Sequence, residues 1–104
     1  MVLEIAQIEI RPGSAVPFEA AVCQAAPKIA ASKGCRGITL HRSVENPDRY
    51  RLLVRWETVE NHVIDFVASE AMSIVGALMV PFFAGEPSVE HLREVDLGGA
   101  GVVK

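Results

Sequence analysis

The sequence is poor in the features that mark a nucleic-acid binder, a secreted scaffold or a membrane protein. Its 104 residues carry ten Lys and Arg against thirteen Asp and Glu, a formal net charge of -3. The dense basic surface needed to displace counterions from phosphates is missing, so nucleic acid is not an expected partner. Only two cysteines occur. Cys23 falls in a predicted helix and Cys35 just past its end, and ten residues of helix separate Cα atoms by ~15 Å, well beyond the ~7 Å a disulfide tolerates. Both are expected as reduced thiols in a cytoplasmic protein. The first apolar run already carries Glu4 and Glu9 and does not read as an export signal. The longest apolar stretch, 71–84, is interrupted by Ser73, Gly76 and Pro81 and falls short of the ~20 residues of a membrane span, so no membrane partner is expected. Gly-x-Ser-x-Gly elbows, glycine-rich phosphate loops and closely spaced zinc ligands are also absent. No metal or cofactor is expected.

What is present suits one compact domain: half of the residues are hydrophobic and 22% are charged. At this length folding withdraws roughly two-thirds of the chain's surface from water. Val2 to Ile10 alternates as a strand, with Glu4, Ala6, Ile8 and Ile10 on one face and Leu3, Ile5, Gln7 and Glu9 on the other. Arg11, Pro12 and Gly13 end it. Ser14 then offers an N-cap to a helix whose Phe18, Val22, Ala25, Ala26 and Ile29 recur at helical spacing. Pro27 should loosen that helix, and Gly34 should close it as a left-handed cap. Arg36 to Val44 and Arg49 to Glu57 predict an antiparallel hairpin turned by Glu45 to Asp48. Thr58 offers a second N-cap, with Val59, His62, Val63, Phe66 and Val67 along one stripe of a helix that runs on or breaks near Ser69 before Pro81. Ser88 to Val95 is the last strand.

The order βαββαβ predicts an α+β, ferredoxin-like sandwich over residues 1–96, followed by a Gly-rich flexible tail over 97–104. In this fold a four-stranded antiparallel sheet carries both helices on one face. Apolar residues alternate onto both sheet faces, Leu3, Ile5 and Leu53 opposing Ala6, Ile8, Leu52 and Val54. The uncovered face therefore predicts a homodimer with its sheets in contact.

The chemistry-bearing residues gather where the third strand meets the second helix: Trp56, Glu57, Thr58, Glu60, Asn61 and His62. In a first helical turn the macrodipole disfavours an imidazolium, which leaves His62 neutral and able to take a proton. Phe66 shares its face. If that face looks at the sheet, the two line a pocket in which Trp56 or Tyr50 contacts a planar substrate. Otherwise His62 is half exposed and Phe66 is plain core. Alternation places His91 with Val89 and Val95, as a second proton carrier or as an interface histidine. His41 sits with Thr39 and Ser43. Arg49, Arg51 and Arg55 share a face that holds either an anion or a set of ion pairs.

Together, Gly34-Cys35-Arg36-Gly37 with Leu40, Tyr50 through Trp56-Glu57-Thr58, Glu60-Asn61-His62, Phe66, Pro81-Phe82-Phe83 and Val89-Glu90-His91 resemble the antibiotic biosynthesis monooxygenase domain family. The resemblance covers nearly the whole chain except its tail. It implies a dimeric α+β barrel and a cavity between sheet and helices. It also implies a choice of chemistries: metal- and flavin-free oxidation of polyketide quinols, quinol oxygenation, haem degradation, or isomerisation of a phosphorylated sugar. The polar residues of the haem-degrading branch fall at or near Ala6, Phe66 and Gly76, which cannot replace them. The expected activity is a cofactor-independent monooxygenase acting on a small aromatic, quinol or enolic metabolite. In it His62 is the base, His91 a second acid or orienting group, and Trp56, Tyr50 and Phe66 the binding surface. The alternatives are a non-catalytic small-molecule-binding or structural dimer, and an isomerase or cyclase that works by proton shuttling alone.

Overall fold

The structure, a computed structural model, describes residues 1–101. Strand β1 (Val2–Glu9) alternates without a break between buried and half-buried positions, which is what a strand covered on one face only should do. Its inward residues Ala6 and Ile8 pack under helix α1 (Ala15–Ala30). The apolar stripe of α1, Phe18, Val22, Ala25 and Ile29, meets Leu52 and Val54 of the third strand. Each large side chain fully buried in this way contributes ~1.5–3 kcal/mol. Strands β2 (Cys35–Arg42) and β3 (Arg49–Trp56) form the predicted hairpin, and β4 (Ser88–Arg93) closes the sheet. The order across the sheet is β2-β3-β1-β4, with every neighbour antiparallel. This is the ferredoxin-like arrangement.

Three local expectations are corrected. Helix α1 ends at Ala30 and is capped at Ala31, so Gly34 is not its cap. Gly34 is left-handed, at φ 79°, because it forms the turn into β2, where its carbonyl accepts the Glu57 N–H at 2.8 Å. The second helical segment takes the broken of its two expected courses, parting near Ser69, but its first part is not α-helical. Asn61–Phe66 is a π-helical turn, and the chain restarts at Ser69, whose Oγ accepts the Met72 N–H and caps helix α2 (Glu70–Met79). Finally, β4 ends at Arg93, two residues before Val95.

Gly98–Gly101 forms a 3₁₀ turn, and the end of the predicted tail, 102–104, lies outside the described residues. Among the described residues no helix is long and apolar enough to cross a membrane. Cys23 and Cys35 are both free thiols.

Candidate active site

The register places Glu4 of β1 directly opposite His91 of β4 and Val54 of β3. Paired residues share a face, so Glu4 and His91 both point to the helical side of the sheet. Trp56, at the end of β3, points the same way and is completely buried. Its indole Nε1–H donates to Glu4 Oε1 at 2.9 Å. Glu4 is only 6% exposed, and a buried carboxylate is costly unless it receives such a bond.

The π-helical turn brings the fourth member inward. Its start is locked by a reciprocal cap: Thr58 Oγ1 accepts the Asn61 N–H, while Asn61 Oδ1 accepts the Thr58 N–H at 3.0 Å. The wide turn then lays His62 almost flat on Trp56, with ring centroids 5.6 Å apart and an 18° angle between planes. His62 Nδ1 shares a 2.8 Å hydrogen bond with His91 Nε2, and His62 Nε2 stands 3.5 Å from Glu4 Oε1. A continuous polar row, Glu4–His62–His91, therefore runs from the buried sheet to half-buried His91 on an otherwise exposed edge strand.

Burial holds the His62 imidazole below its ordinary pKa, and neighbouring His91 adds to that effect. The Glu4 carboxylate pulls in the opposite direction. Desolvation is the leading cause of this shift, not the helix macrodipole expected from the sequence, because the turn around His62 is short and π-helical.

The row borders a cavity of about 160 Å³ between the sheet and α2. Among the described residues Glu4 and His62 are the only titratable groups in its wall; the rest is apolar, with Trp56, Phe66, Val75 and Met79 prominent. The wall residues Met72, Val80 and Val89 are exposed, so the cavity opens between the second helical layer and β4. Ala6, Phe66 and Gly76 also line it, so the positions that would carry the polar groups of a haem-degrading site bring apolar surface instead.

Of the residues singled out from the sequence, Trp56, His62, Phe66 and His91 come together. Tyr50 does not join them. It shares their sheet face but lies six residues earlier on β3, ~20 Å along the strand, where it packs on Phe18 and donates to Glu19 Oε2 at 2.5 Å. Burial and Glu19 push its phenol up to about 12, so it stays protonated. His41 bonds Thr39 on the outer face, and there Arg49 pairs with Glu9 and Arg51 with Gln7.

The residue that sequence reasoning missed is Glu4. The available signal was its place on a face otherwise made of Ala6, Ile8 and Ile10. Among the described residues no group of three or more His, Cys, Asp or Glu is arranged to hold a metal ion.

The family model for "Antibiotic biosynthesis monooxygenase" matches residues 1–73, a span that includes Glu4, Trp56, His62 and Phe66. The uncharacterized protein YczJ of Bacillus subtilis (strain 168) is 39% identical over 95 residues, covering 91% of this chain and all of that protein. A crystal structure of a protein carrying the same family name, from Bordetella bronchiseptica, is 45% identical with a TM-score of 0.89, covering 90% of this chain and 96% of the other. Another, from Caulobacter crescentus CB15, is 26% identical with a TM-score of 0.78 over 91% and 90% of the two chains. Sheet order and sequence similarity agree, and the chain belongs to the antibiotic biosynthesis monooxygenase family.

Proposed function

We propose that the protein is a cofactor-independent monooxygenase of a small hydroxylated aromatic or enolic metabolite. The observation that supports this reading most is the Glu4–His62–His91 row, running from a buried carboxylate to two half-buried imidazoles at the polar end of an otherwise apolar cavity. The row takes up the substrate's hydroxyl proton, with neutral His62 as the base that carries it and Glu4 stabilising the imidazolium that forms. The resulting anion gives one electron to O2. The radical and superoxide combine at a ring or enol carbon that carries a hydrogen, and the stored proton completes the hydroperoxide; that carbon then loses its hydrogen as a proton, its C–H electrons forming the carbonyl while the O–O bond breaks and hydroxide leaves to take up the proton. One oxygen remains in the product as a carbonyl and the other leaves as water, so O2 is the only oxidant required. Trp56 and Phe66 supply flat apolar walls, and the shortage of polar groups shields the radical pair.

Two copies joined through the outer sheet face complete this reading. Leu3, Ile5 and Leu53 stand side by side there in the β1–β3 register, and among the described residues no element covers them. The free thiols of Cys23 and Cys35 support a reducing, cytoplasmic setting.

Oxygen uptake with a panel of phenols and quinols tests the activity. His62→Ala should lower turnover by ~10²–10⁴-fold, the usual contribution of a positioned proton acceptor, while the dimer persists. Uptake that is absent with every compound, or that survives the substitution, overturns the reading. Because the same row could shuttle protons without oxygen, equal turnover under anaerobic conditions would assign an isomerase or cyclase instead.

A further inference from the structure

The two imidazoles of the row meet different surroundings at their outer ends. His62 Nδ1 and His91 Nε2 share the 2.8 Å hydrogen bond, which leaves His62 Nε2 at one end of the pair and His91 Nδ1 at the other. Neither of these end nitrogens makes a hydrogen bond within the described residues. Among those residues no buried side-chain nitrogen or oxygen lacks a partner, so both end nitrogens are accessible. His62 belongs to the cavity wall and His91 does not. His62 Nε2 therefore opens to the cavity, 3.5 Å from Glu4 Oε1. His91 stands behind it on β4, an edge strand of the sheet, and its Nδ1 meets bulk water.

A neutral imidazole has one protonated and one bare nitrogen, and a hydrogen bond between two neutral rings holds one proton that either ring can supply. The pair thus has two tautomeric states. When a proton arrives at bare His62 Nε2, His62 Nδ1 passes its own proton to His91 Nε2, and His91 Nδ1 releases one to water. One proton enters, one leaves, and both rings end neutral. The reverse sequence carries a proton from water into the cavity. The mouth of the cavity is a poorer path: Met72, Val80 and Val89 there bring exposed apolar side chains, which hold no chain of water, and a ligand seated inside displaces what water remains.

We infer that His62 and His91 form a two-ring proton relay between the cavity and solvent, with His91 Nδ1 as its outer port. The inference rests on the proposed oxygenase reading in using His62 as the base, but it concerns proton movement and is tested without turnover. His91 acts through His62 and touches no ligand.

Exchange of the His62 ring proton with water, followed by nitrogen NMR of protein carrying labelled histidine, makes the test. His91→Gln keeps a side-chain partner for His62 Nδ1 but has no second titrating nitrogen, so it preserves the orientation of the ring and breaks the path. Exchange should slow at least about tenfold in this variant, as expected where an imidazole serves as shuttle; a His91 that only orients His62 would be replaced by Gln without that change. In the unaltered protein, a coupling across the hydrogen bond between His62 Nδ1 and His91 Nε2 should show one proton shared by the two nitrogens. That measurement decides the matter if His91→Gln does not fold.

Exchange as fast in His91→Gln as in the unaltered protein, or no coupling between the two nitrogens, would each overturn the inference. Slowed exchange without oxygen uptake from any phenol or quinol would keep the relay and remove the oxygenase reading. Oxygen uptake with unchanged exchange would keep that reading and remove the relay.

Discussion

His62 is half-buried without being isolated. Desolvation keeps the imidazole neutral, Glu4 moderates the shift, and His91 gives the ring a defined hydrogen-bond partner. The sign of the pH dependence follows. In the unfolded chain the ring takes up a proton at its ordinary pKa of about 6.5, while in the folded chain it does so only at lower pH. Its contribution to stability is therefore complete above that ordinary value and is lost as pH falls through the folded pKa. Urea midpoints measured between pH 7.5 and pH 5 should fall more steeply for the unaltered protein than for His62→Gln, which has no ring to protonate. Identical slopes would mean that His62 is not held neutral by burial. The acid limb of kcat/KM should likewise lie below the pH at which a free imidazole titrates.

At the scale of elements, the site depends on how the chain passes from β3 into the π-helical turn. Gly34, Thr58 and Asn61 form that junction. The left-handed backbone of Gly34 is needed for the turn into β2, and a methyl group there would run into the Asn61 side chain. Asn61 in turn holds the Thr58 N–H and the first residues of the turn that carries His62. Gly34→Ala combines backbone strain with a collision, and should cost ~1–3 kcal/mol. Chemical denaturation would measure that loss. Trp56 emission should change as well, since a displaced turn unstacks His62 from the indole; a stable variant with unaltered emission would show that the junction does not position the site. Ser69 has a separate task. Its Oγ restarts the helical path as α2, and Ser69→Ala should cost ~1 kcal/mol in melting experiments, as lost N-caps do.

The whole molecule presents two unlike sheet faces. The inner face is sealed by α1 and, more loosely, by α2, and the looser side leaves the cavity open towards β4. The outer face is a band of Leu3, Ile5 and Leu53 beside the paired charges Arg49–Glu9. Water on such a band is displaced most simply by a second copy of the same band. Sedimentation should find two chains per particle. Ile5→Asp should give single chains with far-ultraviolet dichroism unchanged, because its side chain points away from the core. A particle that stays monomeric at high concentration before any substitution would remove the dimer.

Periodicity alone determined much of this protein. Period-two alternation in β1 and β3 and period-3.6 spacing in α1 are consequences of backbone geometry, so element order and sheet faces were readable residue by residue, while His62 and His91 stayed open between inward and half-exposed places. Alternation states which face a residue occupies, not how far along the sheet it lies or what it meets. Tyr50 and Trp56 share a face, yet only strand register and the position of α1 decide that one bonds Glu19 and the other lines the cavity. Glu4 shows the same limit more sharply. Its burial beside a tryptophan N–H and a histidine requires β1, β3, β4 and the π-helical turn to converge on one point. Those contacts join residues as much as 87 positions apart, and long-range convergence of that kind has no local signature in the chain.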